Sequence, residues 1–221
     1  MTDHISWREF RESDGVQDWR NLSGGSTALF RAPTLAAATR FAAAIGALPG
    51  IEDHPPAIDI RHGEVTVQLL TVTATYRGMS QRAVELARAI SAVARAHGRV
   101  ADPSSVQSLL VYVGVPDSAN VSPFWRAVLG YVEGPDYPDG VVDPHGRGPT
   151  FWMEPMDEAR PDGGGAIHVA IWVPYEQAES RVTAALAAGG RLVRSENAPA
   201  WWTLADAAGN EADIATTMGR D

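Results

Sequence analysis

The sequence predicts an α+β fold in two modules: an N-terminal α/β layer over residues 1–104, then paired βαβββ units over residues 105–221. Three observations carry this. The first half reads as strand, helix, two strands, helix, an order that lays helices on one face of an antiparallel sheet. The second half reads as one strand–helix–three-strand unit written twice. The charge also steps between the halves: residues 1–104 hold 11 acids and 11 arginines, whereas 105–221 hold 16 acids and 7 arginines and so carry the whole net charge of −9. The turn-rich stretch Asp102-Pro103-Ser104-Ser105 marks the step.

In the first half, Ser26–Arg31 (STALFR) reads as a strand, and Thr34 then caps an alanine-rich helix. Leu35, Ala38, Phe41, Ala42, Ile45 and Leu48 recur at helical spacing as its buried face, and Gly50 ends it. Ala57–Arg61 and Val65–Thr73 read as two strands joined by a turn at His62-Gly63. Ser80 caps a second helix whose apolar stripe is Ala83, Leu86, Ala87, Ile90, Val93 and Ala94, closed by His97-Gly98.

The segment EDHPPAIDIRHGEVTVQLLT and the helix opening GMSQRAVELA resemble the pterin-4a-carbinolamine dehydratase family over residues 5–98. The family motif is two adjacent histidines before a proline, an aromatic residue, a third histidine ending the next strand and an aspartate in the last helix. His54 takes the first histidine position, Pro55 the second, Pro56 the proline, His62 the aromatic position, Val72 the third histidine and Ala83 the aspartate. Dehydrating a 4a-hydroxypterin requires protonating a leaving hydroxyl while a ring nitrogen loses its proton, which needs two positioned groups titrating near neutrality. Proline and valine transfer no protons. His54 is then either a turn residue before the strand or part of a pterin-shaped pocket, and His54 with His62 is the remaining catalytic pair.

In the second half, Leu109–Glu133 has its counterpart in Ile167–Val193. Each begins with a strand ending in Val-Pro (Val115-Pro116, Val173-Pro174), continues as a helix ending near a glycine, and reaches an Asp-x-x-Gly turn at Asp143–Gly146 or Asp206–Gly209. With Asp117, PFWRAVLG (Pro123–Gly130), Ile167-His168-Val169 and Asp206–Glu211, this half resembles the vicinal oxygen chelate superfamily, which includes glyoxalase I, bleomycin-resistance proteins and extradiol dioxygenases. The resemblance implies a cup whose metal ligands come from the first and last strands of each unit. His168 and Glu211 match two of the four positions, while Leu110 and about Thr150 match the other two. Glu154 shares a strand face with Thr150 and Trp152 and is the candidate third ligand, so the expectation is one divalent ion on His168, Glu211 and Glu154, or else a pocket histidine and solvated carboxylates.

Five of the seven tryptophans lie in this half. Trp125, Trp152 and Trp202 are the candidate ligand-binding rings, offering apolar faces to a planar molecule, a pterin among the options. Adjacent Trp201 and Trp202 must face opposite ways, so only one can line the cup. The linker Asp157–Gly165 is placed to fold over its mouth.

Other chemistries are excluded. There is no cysteine and no lysine, hence no disulfide, thiolate ligand, Schiff base or phosphate-binding Gly-Lys loop. No G-x-S-x-G elbow or H-E-x-x-H motif occurs. A chain at −9 is not a nucleic-acid binder. No apolar run suits a membrane span or a signal peptide, and the expectation is a cytoplasmic homodimer. Three functions stay open: a cup that binds or processes a small molecule as a lyase-type enzyme would, an active 4a-hydroxytetrahydropterin dehydratase, and a non-catalytic, ligand-sequestering protein of the resistance type. The acidic field favours a neutral or cationic planar ligand over a polyanion.

Overall fold

The computed structural model describes residues 3–73, 76–115, 122–123, 125–126, 129–134, 137–155, 167–205 and 211–220. The chain divides into two compact units, residues 1–106 and 107–220. Among the described residues, no helix is long and apolar enough to cross a membrane.

The first unit opens with a short strand β1 (His4–Ile5) and helix α1 (Trp7–Glu12). Ser6 and Glu9 form a reciprocal cap: the Ser6 hydroxyl accepts from the Glu9 amide at 3.1 Å, and the Glu9 carboxylate accepts from the Ser6 amide at 2.7 Å. Strands β2 (Arg20–Leu22), β3 (Gly25–Arg31), β4 (Ala57–Arg61) and β5 (Glu64–Leu69) form an antiparallel sheet in the order β2-β3-β5-β4. The β2–β3 turn requires glycine at 25: its φ is +141°, and a Cβ there would lie 2.6 Å from the Leu69 carbonyl oxygen.

The expected strand over 65–73 breaks after Leu69. Residues Thr71–Val72 form β6, which leaves the main sheet and pairs with β7 (Arg77–Ser80), and β7 pairs with β1. Helices α2 (Leu35–Gly46) and α3 (Gln81–Ala96) carry the core. Phe41, Ile45, Leu86 and Ile90 bury against Phe10, Phe30, Val65 and Val67. Thr34 and Ser80 are the caps, accepting from Ala37 and Ala83. Leu35, expected on the buried face, is 70% exposed, because it stands directly after the cap at the start of the first turn. A short β8 (Val100–Ala101) pairs with the end of β3, and Asp102 then accepts from Ser104, Arg31 and Ser105, which holds its carboxyl well below the usual range.

The second unit contains the duplication. Its strands are β9 (Ser108–Val115), β10 (Val132–Gly134), β11 (Tyr137–Val142), β12 (Thr150–Pro155), β13 (Ile167–Trp172), β14 (Arg191–Arg194), β15 (Trp201–Ala205) and β16 (Glu211–Ala215). Helix α4 (Tyr175–Ala187) follows β13, and the helical residues Ser122, Pro123, Trp125, Arg126 and Leu129 follow β9. One sheet runs β10-β11-β12-β9-β13-β16-β15-β14, so exchanging the two halves reproduces the order. The halves meet where β9 and β13 pair antiparallel, and each of these strands pairs in parallel with the last strand of its own half. One sheet face is covered by apolar clusters: Val111, Val113, Val115, Val141 and Met153 in one half, and Val173, Ala178, Val182, Leu204 and Ile214 in the other. The Asp143 turn closes on itself. The His145 amide, with those of Arg147 and Gly148 and the Arg147 side chain, brings the Asp143 carboxyl down to about 2 against the effect of burial. The Asp157–Gly165 linker, the Asp206–Gly209 turn, Asp117 and Phe124 lie outside the described residues.

Ser80 is buried, caps α3 at 3.2 Å from the Ala83 amide, and shares a 2.7 Å hydrogen bond with the Thr71 hydroxyl. Ser80→Ala should therefore destabilise the first unit by about 1–2 kcal/mol, read as a lower urea midpoint. An unchanged midpoint would remove the cap from the stability of this unit.

Candidate functional site

In the first unit the histidine positions do not converge. His54 sits in the turn before β4, where its amide donates to the Ile51 carbonyl at 3.1 Å. Its ring is buried, its Nε2 has no hydrogen-bond partner, and burial with the nearby Arg82 charge pushes its pKa below the ordinary value. His62 occupies the exposed turn at the far end of β4. Five strand residues separate the two turns, roughly 16 Å at strand rise, so His54 and His62 cannot act on one substrate atom. This corrects the expectation of a His54–His62 pair. Val72 is 55% exposed and Ala83 is buried, and neither can exchange a proton.

In the second unit, period-two alternation sorts every candidate. Tyr112 and His168 are direct partners across the β9–β13 seam, and their rings stack at 4.7 Å with planes 3° apart. Next to them is a cavity of about 340 Å³ lined by Tyr112, Glu154, His168, Ala170, Arg194, Asn197, Trp201, Thr203, Asp213, Ala215 and Arg220. His168 lies between two acids: Nε2 is 3.4 Å from the Asp213 carboxylate, and Nδ1 is 4.0 Å from Glu154. Asp213 is oriented by the Thr203 hydroxyl, which donates to it at 2.7 Å. Burial opposes the imidazolium, but the hydrogen bond to Asp213 and the charges of Asp213, Glu154 and Glu211 outweigh it and raise the His168 pKa.

None of the three expected tryptophans, Trp125, Trp152 and Trp202, lines this cavity. Trp202 packs against Val173, Ala178, Val182, Leu204 and Ile214 on the helix side, and it is Trp201 that lines the cavity. Trp125 also packs on the helix side, 5.4 Å from Phe151. Trp152 is on the cavity-bearing face beside its register partner Tyr112, but outside the cavity lining. Alternation contained the clue for the Trp201–Trp202 pair. Trp202 shares its face with Leu204, whereas Trp201 shares its face with Thr203. The same logic on β16 puts Asp213 on the face of Glu211, and Asp213 is the site residue that the motif comparison missed.

The expected metal set does not fit. Glu211 accepts from Arg194 at 2.9 Å, so its charge is already neutralised. The His168 nitrogens face Asp213 at 3.4 Å and Glu154 at 4.0 Å, so Glu211 is not the carboxylate next to the ring. Leu110, in the equivalent position of the first half, is buried and apolar. Among the described residues, no group of three His, Cys, Asp or Glu side chains is arranged to hold an ion.

Residues 7–93 match the family model for pterin 4 alpha carbinolamine dehydratase, and residues 110–215 match that for a glyoxalase-like domain. Among solved structures, the chain is similar to the NAD-dependent benzaldehyde dehydrogenase from Legionella pneumophila: 13% identity over 49% of this chain and 97% of that one, TM-score 0.37. It is also similar to a glyoxalase/bleomycin resistance protein/dioxygenase superfamily member from Vibrio splendidus 12B01: 18% identity, 50% and 99% coverage, TM-score 0.33. No curated protein matches the chain.

His54 and His168 impose opposite pH dependences. His54 has a lowered pKa, so its contribution is present above the unfolded value and is lost as pH falls below it, where the unfolded chain takes up the extra proton. His168 has a raised pKa, so its contribution is present below the unfolded value and is lost as pH rises through the folded one. Unfolding between about pH 5 and 8 should show His54→Leu less sensitive to acid and His168→Gln less sensitive to base than the parent. Proton NMR titration placing His54 above His168 would contradict both assignments.

Proposed function

From a chain that joins a pterin-4a-carbinolamine dehydratase-like domain to a glyoxalase-like domain, we propose a small-molecule-binding protein whose working site is the cavity of the second unit. The first unit is read as a dehydratase-like domain with a reduced site. The observation that carries the reading is the stacked Tyr112–His168 pair beside a cavity of about 340 Å³, large enough for a two-ring heterocycle. Trp201 adds a second ring to the wall. Flat aromatic surfaces bind flat molecules by dispersion and water exclusion, and neither demands a charge on the ligand.

The His168–Asp213 contact favours a second reading of the same cavity. A histidine whose pKa is raised by an oriented carboxylate can donate a proton to a bound molecule as a general acid. A lyase-type step would then run on this chain's own acid–base groups.

A planar heterocycle such as pterin should quench tryptophan emission on binding. Trp201→Ala should weaken the quenching, and Trp202→Ala should leave it in place. A panel of planar heterocycles that all leave the emission unchanged would sink the reading. The first unit, with Pro55, Val72 and Ala83 at acid–base positions, should turn over 4a-hydroxytetrahydropterin about 10²–10⁴-fold more slowly than three-histidine dehydratases. A comparable rate that disappears in His54→Ala would restore the dehydratase.

A further inference from the structure

One charge on the cavity wall is left over by the stacking site. After β16 the chain turns back, and the Arg220 Nε donates to the Thr216 carbonyl at 3.0 Å. The guanidinium carbon lies 4.5 Å from the Trp172 ring centroid and 4.9 Å from that of Trp201. The turn that presents it is pinned as well: the Thr216 hydroxyl donates to the Pro199 carbonyl at 2.6 Å and accepts from the Met218 amide at 3.1 Å. Arg220 is therefore held in one place before any ligand arrives.

Its charge is favoured from a distance by the Asp213 carboxylate but makes no ion pair with a described residue. Among the described residues, no carboxylate stands within 4 Å of Arg220, whereas Arg194, the other arginine of the cavity, is paired with Glu211 at 2.9 Å. With Nε occupied by Thr216, the two terminal nitrogens remain as a planar fork, the geometry that accepts both oxygens of a carboxylate. Glu154 and Asp213 line the same cavity, so a dianion would meet stronger repulsion there than a single negative charge held by Arg220.

We infer that the cavity takes a planar aromatic carboxylate, with Arg220 clamping the carboxylate and the ring lying toward the Tyr112–His168 stack. The inference rests on the reading of the cavity as a planar-ligand site and replaces the expectation of a neutral or cationic ligand with a monoanion. The ring contacts that immobilise the guanidinium leave its edge, not its face, for the ligand.

Calorimetric titration of the full chain near neutral pH with 2-naphthoate, 2-naphthamide and 2-naphthyl phosphate tests it. Naphthoate should bind about tenfold or more tightly than the amide, because a charge-assisted bidentate contact replaces a neutral one. Arg220→Gln should abolish that preference while keeping amide binding, which also reports that the cavity is intact. Arg220→Lys should restore only part of it, since an ammonium has no fork. Equal binding of acid and amide by the parent chain overturns the carboxylate clamp and leaves the planar site standing, and it needs no variant to fold. Tighter binding of the phosphate, or an acid preference that survives in Arg220→Gln, also overturns it. Failure of all three compounds to bind removes the planar site itself.

Discussion

The second unit depends on the register of a single antiparallel seam, the pairing of β9 with β13 from Ser108↔Trp172 to Val113↔Ile167. Side chains alternate with a period of two, so this register decides which residues meet the cavity and which meet the helices. His168, Ala170 and Trp172 share a face with Ser108, Leu110 and Tyr112, while Val111, Val113 and Val169 belong to the apolar cluster behind. A slip of one residue would put Val169 where His168 stands and force the histidine into the hydrophobic layer. The burial of those valines therefore holds the Tyr112–His168 stack in place. The polar site is a by-product of an apolar constraint.

The first unit shows the converse, a core that does not depend on the residues at its acid–base positions. Its stability rests on Phe10, Phe30, Phe41, Leu86, Ile90 and the valines of β5, none of which depends on what occupies positions 55, 72 and 83. An exposed Val72 and a buried Ala83 cost the sheet and helix nothing. His54 is a buried ring in a turn, a place where protonation is penalised.

Much of this was legible in the sequence because it follows from spacing. The caps at Thr34 and Ser80, the apolar stripe of α3 and the duplicated βαβββ order all rest on local periodicity. The exit of β6 from the main sheet was not legible, since Thr71-Val72 continues the alternation of β5 and only its pairing with β7 sets it apart. The site was half legible. Matching motifs found His168, Glu154 and Glu211, but no motif records that Arg194 neutralises Glu211 from the neighbouring edge of the sheet. Asp213 and Arg220 were missed for the same reason. Asp213 meets His168 and Arg220 meets Trp172 across 45 and 48 residues of chain, and no local pattern encodes such partners.

The strand order that reads alike from both ends has a further consequence. Equivalent backbone slots exist in both halves, but only one set carries ionisable side chains: His168, Glu211 and Asp213 on one side, Leu110, Thr150 and Trp152 on the other. The scaffold is nearly symmetric and the lining is not, so a guest can be read from one direction only. The blank half is also a spare copy of the template. Its slots have the same spacing and facing, ready for a second inscription that would leave the first untouched.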